Sequence, residues 1–257
     1  THKWTNELTV KSTITPVKAL MIMPKFKWNY SREKTDYHYG PLDTTAVRTS
    51  NTYEPSIFLK WKMSRVRNMD IAFAYNTTVP DLVSTLGYRN TIDPLHIYMG
   101  NPLLRNSHSH TTTYNYHRMW LRKQIVLGFT ASYNKDINPQ ATLYSYNSAT
   151  GVYTSKPMNV KGGDMWQFAF NYDQGIGFYF RLMNKFALET AKSYGFLTIV
   201  DNNAADAQPE LNKQKRLGIN NDFEFSYETE KLQLTLFDRL ESNRYRYDDA
   251  SYNTTPL

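Results

Sequence analysis

Residues 19–30 read ALMIMPKFKWNY, and this stretch decides the fold class. Apolar or aromatic side chains occupy every second position, namely Leu20, Ile22, Pro24, Phe26, Trp28 and Tyr30. Lys25, Lys27 and Asn29 stand between them. Because a β-strand directs successive side chains to opposite faces, the alternation predicts a strand with one apolar face and one polar face.

The same alternation returns in ten segments along the chain. They span residues 2–14, 19–30, 55–63, 70–76, 107–116, 125–133, 166–172, 178–188, 216–225 and 232–239. Short turns and long polar loops alternate between them, which is typical of bacterial outer-membrane β-barrels. We therefore predict an all-β fold, an antiparallel transmembrane β-barrel with apolar side chains towards lipid and polar side chains towards the lumen.

The amino-acid composition is compatible with this fold and argues against several classes of function. Mean hydropathy is −0.61, as expected when only half of each strand faces lipid. Aromatic residues make up 15% of the chain, with 20 tyrosines, which suits belts at a membrane interface and also a soluble sugar-binding protein. The net charge of +7 is spread over strands and loops, so no nucleic-acid partner is predicted. The absence of cysteine excludes disulfides and thiol catalysis.

Local signals add four expectations. Pro24 predicts a bulge, because proline cannot donate to a strand ladder. Residues 15–17 and 173–175 are predicted as turns, and residues 31–53 as a long polar loop. Within the loop at 134–163, two short alternating runs around residues 147–151 predict a further hairpin.

The positions of tryptophan and tyrosine predict two aromatic belts. Trp28 lies roughly 20 Å above Leu20 along the membrane normal, given a rise of ~3.3 Å per residue and a tilt of ~40°. An apolar band is about 25 Å tall, so Trp28 suits an outer belt, and tryptophans beside short turns suit an inner one. The predicted belt residues are Trp4, Trp28, Tyr30, Trp61, Trp120 and Trp166.

The polar face is predicted to be basic. Its lumen-facing cations are Lys25, Lys27, Lys60, Lys62, Arg181 and Lys185. They either attract an anionic solute or acidic plug residues, or they are ordinary hydrated side chains of a polar interior. Loop tyrosines could stack on sugars or flat ligands, or pack the loops against one another. These are Tyr37, Tyr39, Tyr88, Tyr98, Tyr144, Tyr146, Tyr245 and Tyr247.

The order of turns and loops predicts an incomplete barrel. The first strand precedes a short turn and the last strand follows one, so both outer ends lie on the long-loop side. A complete bacterial barrel normally starts and ends in the periplasm. We therefore expect residues 1–257 to form one domain, an interior slice of a larger barrel that contains no plug domain.

A motif in the second long loop carries a family resemblance. Residues 93–104 read DPLHIYMGNPLL, in which Gly100, Asn101, Pro102 and Leu104 form a Gly-Asn-Pro-x-Leu element. This element resembles the mid-barrel signature of TonB-dependent receptors, and residues 80–94 resemble the variant of Bacteroidota. The family pattern usually continues with a proline and an acidic residue, where this chain has Asn106 and Ser107.

The resemblance implies a twenty-two-stranded barrel in the outer membrane. It also implies an N-terminal plug and energised uptake through an inner-membrane TonB complex. Outer-membrane lipid would surround the barrel, and a surface lipoprotein or other outer-membrane subunits could join it. The predicted function is therefore part of a receptor that takes up a solute recognised by its external loops.

No catalytic or metal-binding pattern accompanies these features. His108 and His110 share a strand face, but two ligands are too few for a metal site. No nucleophile elbow, phosphate loop or HExxH is present, so we predict no enzyme activity and no cofactor. Three alternatives stay open: a scaffold barrel, a small barrel protease with Asp and His at the lumen mouth, and a soluble carbohydrate-binding β-sandwich.

Overall fold

The computed structural model describes residues 2–39, 42–200 and 209–249. Its strands are β1 (His2–Lys11), β2 (Ile14–Val17), β3 (Leu20–Tyr39), β4 (Leu42–Ser64), β5 (Arg67–Thr78), β6 (Arg89–Asn90), β7 (His96–Met99), β8 (Ser107–Trp120), β9 (Ile125–Ile137), β10 (Gln140–Asn147), β11 (Val152–Asn159), β12 (Asp164–Ile176), β13 (Phe180–Phe196), β14 (Ile199–Val200), β15 (Leu211–Glu228) and β16 (Gln233–Tyr247). Two 3-10 helices, Val83–Thr85 and Leu121–Lys123, are the helical elements within these residues. None of the described helices is long and apolar enough to cross a bilayer.

One large antiparallel sheet contains all ten predicted strands. Its order is β1-β3-β4-β5-β8-β9-β12-β13-β15-β16, with β2 continuing the edge beside β3. Neighbours in the sheet follow one another along the chain, so the sheet is an up-and-down meander, as in barrels of this kind. The all-β antiparallel prediction is confirmed. β1 and β16 form the two edges and do not pair with each other, so the described sheet is open.

Five tight connections form one rim of the sheet, which we call the short-turn rim. They lie at residues 18–19, 65–66, 121–124, 177–179 and 229–232. Two predicted turns are wrong: residues 15–17 belong to β2 and residues 173–175 to β12. Pro16 is tolerated because β2 is an edge strand, and the reversal after β12 uses Gly177, whose φ of +66° suits glycine.

The predicted loop at residues 31–53 is mostly strand. β3 and β4 pair continuously from Ser31 opposite Ser50 to Tyr39 opposite Leu42. Polar side chains bridge the two strands, with the Ser31 and Ser50 hydroxyls 2.7 Å apart. Because cross-strand hydrogen bonds and β-prone threonines stabilise a ladder without apolar alternation, hydrophobic periodicity misses this extension.

Pro24 does not form a bulge against β4. It pairs in register with Ile57, and on its other side the ladder is interrupted at residues 12–13, between β1 and β2. The register shift of that edge lies further along, between Ile14 and Val17 of β2. The Pro24 carbonyl accepts a hydrogen bond from Ser12 N at 3.1 Å. Since a residue in an antiparallel strand directs its N–H and C=O to the same neighbour, the missing donor of Pro24 faces the break at residues 12–13.

The strand register collects the apolar side chains on one surface, the outer face. Trp28 lies opposite Leu8 and Tyr53, and Phe170 lies opposite Phe129 and Phe186. This face is uncovered: Leu8 is 54% exposed and Trp4 56%. The buried hydrophobic residues within the described ranges are Leu82, Ile97 and Val160, all outside the large sheet. Within the described residues no second sheet therefore covers the outer face, as a β-sandwich would require.

A second sheet is built from the long connections on the other rim, the long-loop rim. We call it the loop sheet, and its order is β14-β10-β11-β7-β6. The predicted hairpin is present as β10 and β11, closed by Asn147, whose Oδ1 accepts bonds from Ala149 N and Thr150 N at 3.0 Å each. The parallel contacts of β7 with β11 and of β14 with β10 join three separate loops into one unit.

Candidate functional site

The polar surface of the large sheet, the inner face, carries ion pairs between neighbouring strands. Lys27 Nζ lies 3.2 Å from Glu7 Oε2 on β1 and 3.7 Å from Glu54 Oε2 on β4. Arg48 Nη2 lies 3.1 Å from Glu33 Oε2 further towards the long-loop rim. Each cation is placed by the strand register, because residues opposite one another in a ladder share a face.

Two bidentate pairs extend the network across the later strands. Arg181 donates to both oxygens of Asp173 at 2.9 and 2.6 Å, and Arg239 donates to both oxygens of Asp222 at 2.8 and 3.3 Å. Bidentate geometry fixes the guanidinium plane as well as the charge. Ionised groups of both signs therefore line this surface, which suits a water-filled interior.

The six predicted lumen cations all share the inner face. Lys27 and Arg181 are engaged in the ion pairs above. The other four form no ion pair in the part of the chain that the structure describes; they are Lys25, Lys60, Lys62 and Lys185. Their orientation follows from pairings such as Lys60 with Asp70 and Lys185 with Asp222. That they line a pore stays a prediction.

The predicted belt residues all lie on the outer face, and four of them, Trp4, Trp28, Tyr30 and Trp166, contact other aromatic rings. Trp4 packs edge-on to Tyr30 with centroids 5.6 Å apart, and Trp166 lies 4.4 Å from Tyr133. Trp28 also contacts Tyr30, at 6.4 Å. These rings lie towards the long-loop rim. Trp61 and Trp120 lie near the short-turn rim, where the Arg118 guanidinium stands 4.2 Å from the Trp120 ring centroid. Contact with a membrane interface stays a prediction.

The Gly-Asn-Pro-x-Leu element ties two long loops together. Asn101 is 6% exposed; its Nδ2 donates to Pro157 O at 2.9 Å on β11, and its Oδ1 accepts from Leu103 N at 3.0 Å. Gly100 is buried, and a Cβ there would collide with the Leu86 carbonyl oxygen. The motif therefore needs an amide side chain and a glycine for structural reasons.

A second bridge lies beside the motif. Asn159 Oδ1 accepts from Arg105 N at 2.7 Å, while its Nδ2 donates to Arg105 O at 3.0 Å and to Asn138 O at 2.8 Å. Nothing in the sequence pattern singles out Asn159. Its role could be found only once the loops were brought together.

A cavity of about 350 Å³ opens where the motif loop meets β4. Its wall combines aliphatic side chains, including Leu82, Leu86 and Leu104, with the Arg48 side chain. Arg48 Nη1 is buried and has no hydrogen-bond partner. The cavity wall thus combines aliphatic side chains with polar groups, among them one cation, and it was not predicted from the sequence.

One side of the loop sheet carries a cluster of rings, which we call the aromatic face. The register places His96 opposite Tyr153, Tyr153 opposite Tyr146, and Tyr98 and Tyr144 both opposite Ser155. His96 and Tyr153 are nearly parallel, with 7° between their planes and 5.7 Å between centroids, and Tyr146 lies 4.5 Å from Tyr153. Tyr144 and Tyr153 are 51% and 45% exposed.

Asp93 borders this aromatic face. Its Oδ1 accepts from Leu95 N at 2.9 Å, and its Oδ2 lies 2.8 Å from His96 Nδ1. These two bonds, the first being the larger influence, lower the pKa of the Asp93 carboxyl, because they stabilise its ionised form. The pair resembles the Asp and His that a barrel protease would need, but both side chains are more than half exposed on the loop surface.

The remaining predictions concern histidines and loop tyrosines. His108 and His110 share a face, as predicted, and it is the outer one. His108 Nδ1 is 3.1 Å from Thr77 Oγ1. Within the described residues no three His, Cys, Asp or Glu side chains form a metal-binding group. The side chains of Tyr37 and Tyr39 lie outside the described part of the chain.

Comparison with known proteins gives a consistent picture. A family model described as outer membrane protein beta-barrel family matches residues 30–255. No curated protein sequence matches the chain. The fold is similar to that of the outer membrane transporter YddB from Escherichia coli, with a TM-score of 0.52 and 8% identity over 95% of this chain and 35% of that one.

Two further solved structures share the fold. One is the hemophore receptor HasR of Serratia marcescens in complex with its hemophore HasA and heme, with a TM-score of 0.58 and 10% identity over 94% of this chain and 46% of that one. The other is the ferric enterobactin receptor PfeA of Pseudomonas aeruginosa, with a TM-score of 0.52 and 9% identity over 91% and 39%. The chain thus spans about a third to a half of the length of these receptors and transporters.

Proposed function

The chain belongs to the outer membrane protein beta-barrel family of the bacterial outer membrane, and from this we propose that it forms part of the wall of a solute receptor-transporter. External loops would recognise the solute, and the lumen would conduct it. The fold similarity to TonB-dependent receptors supports this proposal. A Bacteroidota origin, which residues 80–94 suggest, belongs to the proposal as well.

The observation that carries the proposal is the uncovered outer face. Apolar side chains such as Phe170 and Leu217 stand 36% and 41% exposed on a sheet with no second layer among the described residues. A contiguous apolar surface of this extent is unfavourable in water and favourable in hydrocarbon. The same observation argues against the soluble β-sandwich.

The inner face supports a lumen that is polar and electrostatically structured. Paired groups such as Arg239 with Asp222 leave basic side chains such as Lys60 and Lys185 available for other partners. Acidic residues of a plug domain, or an anionic solute, would be attracted to them. We propose a plug and coupling to a TonB complex on this basis together with the family resemblance.

The two unpaired edges support a barrel larger than this chain. β1 and β16 each present a row of backbone donors and acceptors on one side. Such edges are not stable in hydrocarbon, because no water can satisfy them. We propose that further strands complete the barrel between β16 and β1, with twenty-two strands in total as the resemblance implies.

Heat-modifiable migration tests the proposal. The full-length protein is expressed in a Gram-negative host, and the outer-membrane fraction is run on a denaturing gel with and without boiling. We expect the protein in that fraction and a faster-moving unboiled band, because a folded barrel resists the detergent. A protein that is monomeric and soluble without detergent would refute the proposal.

Transport and scaffolding are separated by a second experiment. Uptake is compared between cells with and without a functional TonB complex. Energy-dependent uptake supports a transporter, whereas a folded barrel with no TonB-dependent uptake of any tested solute supports a scaffold. The protease alternative draws no support from the Asp93–His96 pair, because both side chains are more than half exposed on the loop sheet.

A further inference from the structure

The aromatic face of the loop sheet has the organisation of a ligand-binding surface. Residues from β7, β10 and β11 come from two different long loops, and the register brings their rings side by side. His96, Tyr153 and Tyr146 form a continuous row across three strands, which spans ~10 Å given a strand spacing of about 4.8 Å. The row is therefore long enough for more than one ring of a ligand.

The rings are held in place before any ligand arrives. Tyr153 contacts His96 on one side and Tyr146 on the other, at 5.7 and 4.5 Å between centroids. Asp93 fixes His96 through the bond to Nδ1, and Tyr98 donates from its hydroxyl to Ser84 Oγ at 3.0 Å. Because rigid side chains lose little freedom on binding, such a surface binds more tightly than a mobile one.

The rings also remain accessible. The His96 side chain is 68% exposed, and Tyr153 and Tyr144 are about half exposed. The opposite face of the same sheet is different: Ile97 is 5% exposed and packs inward. The aromatic side of the sheet is thus the one that faces away from the small buried core.

Charge narrows the ligand class. The basic side chains of these strands, Arg89 and Lys156, lie on the opposite face, since Arg89 pairs with Met99 and Lys156 with Leu143. Among the described residues Asp93 borders the aromatic side, and its carboxylate is an acceptor for hydroxyl donors. An anionic ligand would therefore meet no Lys or Arg side chain of these described strands there, and it would meet the Asp93 carboxylate. A neutral ligand rich in hydroxyl groups, with apolar ring faces, would find both a stacking surface and an acceptor.

We propose that the aromatic face, His96, Tyr98, Tyr144, Tyr146 and Tyr153, binds a neutral oligosaccharide, with sugar rings against the row of rings and hydroxyl groups donating to Asp93. This inference rests on the proposed function, because it needs the long-loop rim to face outside the cell. It adds the substrate class of the external loops to that function.

Binding by the full-length protein in detergent tests the inference. The probes are maltohexaose, cellohexaose, xylohexaose and mannohexaose, with ferric enterobactin as the anionic comparator, and calorimetry measures affinity. We expect at least one oligosaccharide to bind. Tyr153→Ala and Tyr144→Ala should each weaken that binding on the order of 10-fold, the contribution of one aromatic contact.

The matched control is Tyr179→Ala, which removes a tyrosine of similar exposure, 53%, at the short-turn rim. It should leave the affinity unchanged. If Tyr153→Ala does not fold, Tyr144→Ala decides alone, because Tyr144 stands outside the row of stacked rings. The inference is overturned if folded wild-type protein binds none of the four oligosaccharides, if the folded variants bind like wild type, or if ferric enterobactin binds in a Tyr153-dependent way.

The two proposals fail separately. A heat-modifiable, outer-membrane protein that binds no oligosaccharide overturns the sugar site and leaves the transporter proposal standing. Conversely, a protein that neither enters the outer membrane nor shows heat-modifiable migration overturns the proposed function, whatever it binds.

Discussion

Asn101→Ala should loosen the long-loop rim without unfolding the large sheet. The amide of Asn101 is nearly buried and makes one bond to Pro157 O and one from Leu103 N. Removing it deprives the part-buried Pro157 carbonyl of its donor, at a cost of about 1–3 kcal/mol, whereas the N–H of Leu103, an exposed residue, can bond to water instead. Opening of the loops should therefore become easier by at least ~1 kcal/mol, equivalent to roughly 5-fold faster exchange.

Hydrogen exchange with peptide-level mass spectrometry measures this effect. Protection should fall in residues 79–106 and also in residues 152–163, because the bond joins both loops. The strands below should keep their protection, since loops open independently of a stable core. Asn171→Ala is the control, because Asn171 is an exposed asparagine on the inner face. Unchanged protection in both loops, or loss confined to residues 79–106, would refute the bridging role.

Two further predictions concern the sheet and the loops. Phe170→Arg should destabilise the folded barrel by about 2–4 kcal/mol in a urea titration in lipid, because it places a charge at mid-height on the outer face. Asn171→Arg on the inner face is the control and should destabilise the barrel much less. Equal losses of stability in the two variants would contradict the assignment of faces. Asp93 has a lowered pKa, so its contribution to loop stability should be complete above its ordinary value of 3.8 and be lost only as the pH falls through the lowered value. An NMR titration of the Asp93 carboxyl with a midpoint at or above 3.8 would contradict this, and Asp93→Asn should remove the acid-dependent step in loop exchange.

Periodicity was sufficient for the ten strands and their two faces, because each transmembrane strand separates an apolar from a polar environment and must alternate. Hydrophobic periodicity does not identify strands that do not separate an apolar from a polar environment. The extension of β3 and β4 beyond Tyr30 has polar residues on both faces, such as Glu33 and Lys34, so no alternation marks it. Its stability comes from cross-strand pairs that depend on the register rather than on local pattern.

The loop sheet was predictable only in part. The β10–β11 hairpin is local and its turn residues Asn147 and Gly151 are visible in the sequence. The parallel contacts with β7 and β14 join residues more than forty positions apart and carry no local signal. The motif at Gly100 to Leu104 is marked by its family resemblance, but its hydrogen bond to Pro157 O and its place beside the cavity depend on how the loops assemble.

Accessibility along a single strand tests most directly whether the outer face meets hydrocarbon. These 257 residues contain no cysteine, so single cysteines at Phe186, Ala187 and Leu188 of β13 can carry a spin label free of background from this chain. In lipid vesicles, the relaxation of labels at positions 186 and 188 should be accelerated by oxygen dissolved in the bilayer. The relaxation of the label at position 187 should be accelerated by a water-soluble nickel complex instead. Equal access of the nickel complex to all three positions, or protection of all three from both reagents, would contradict the account.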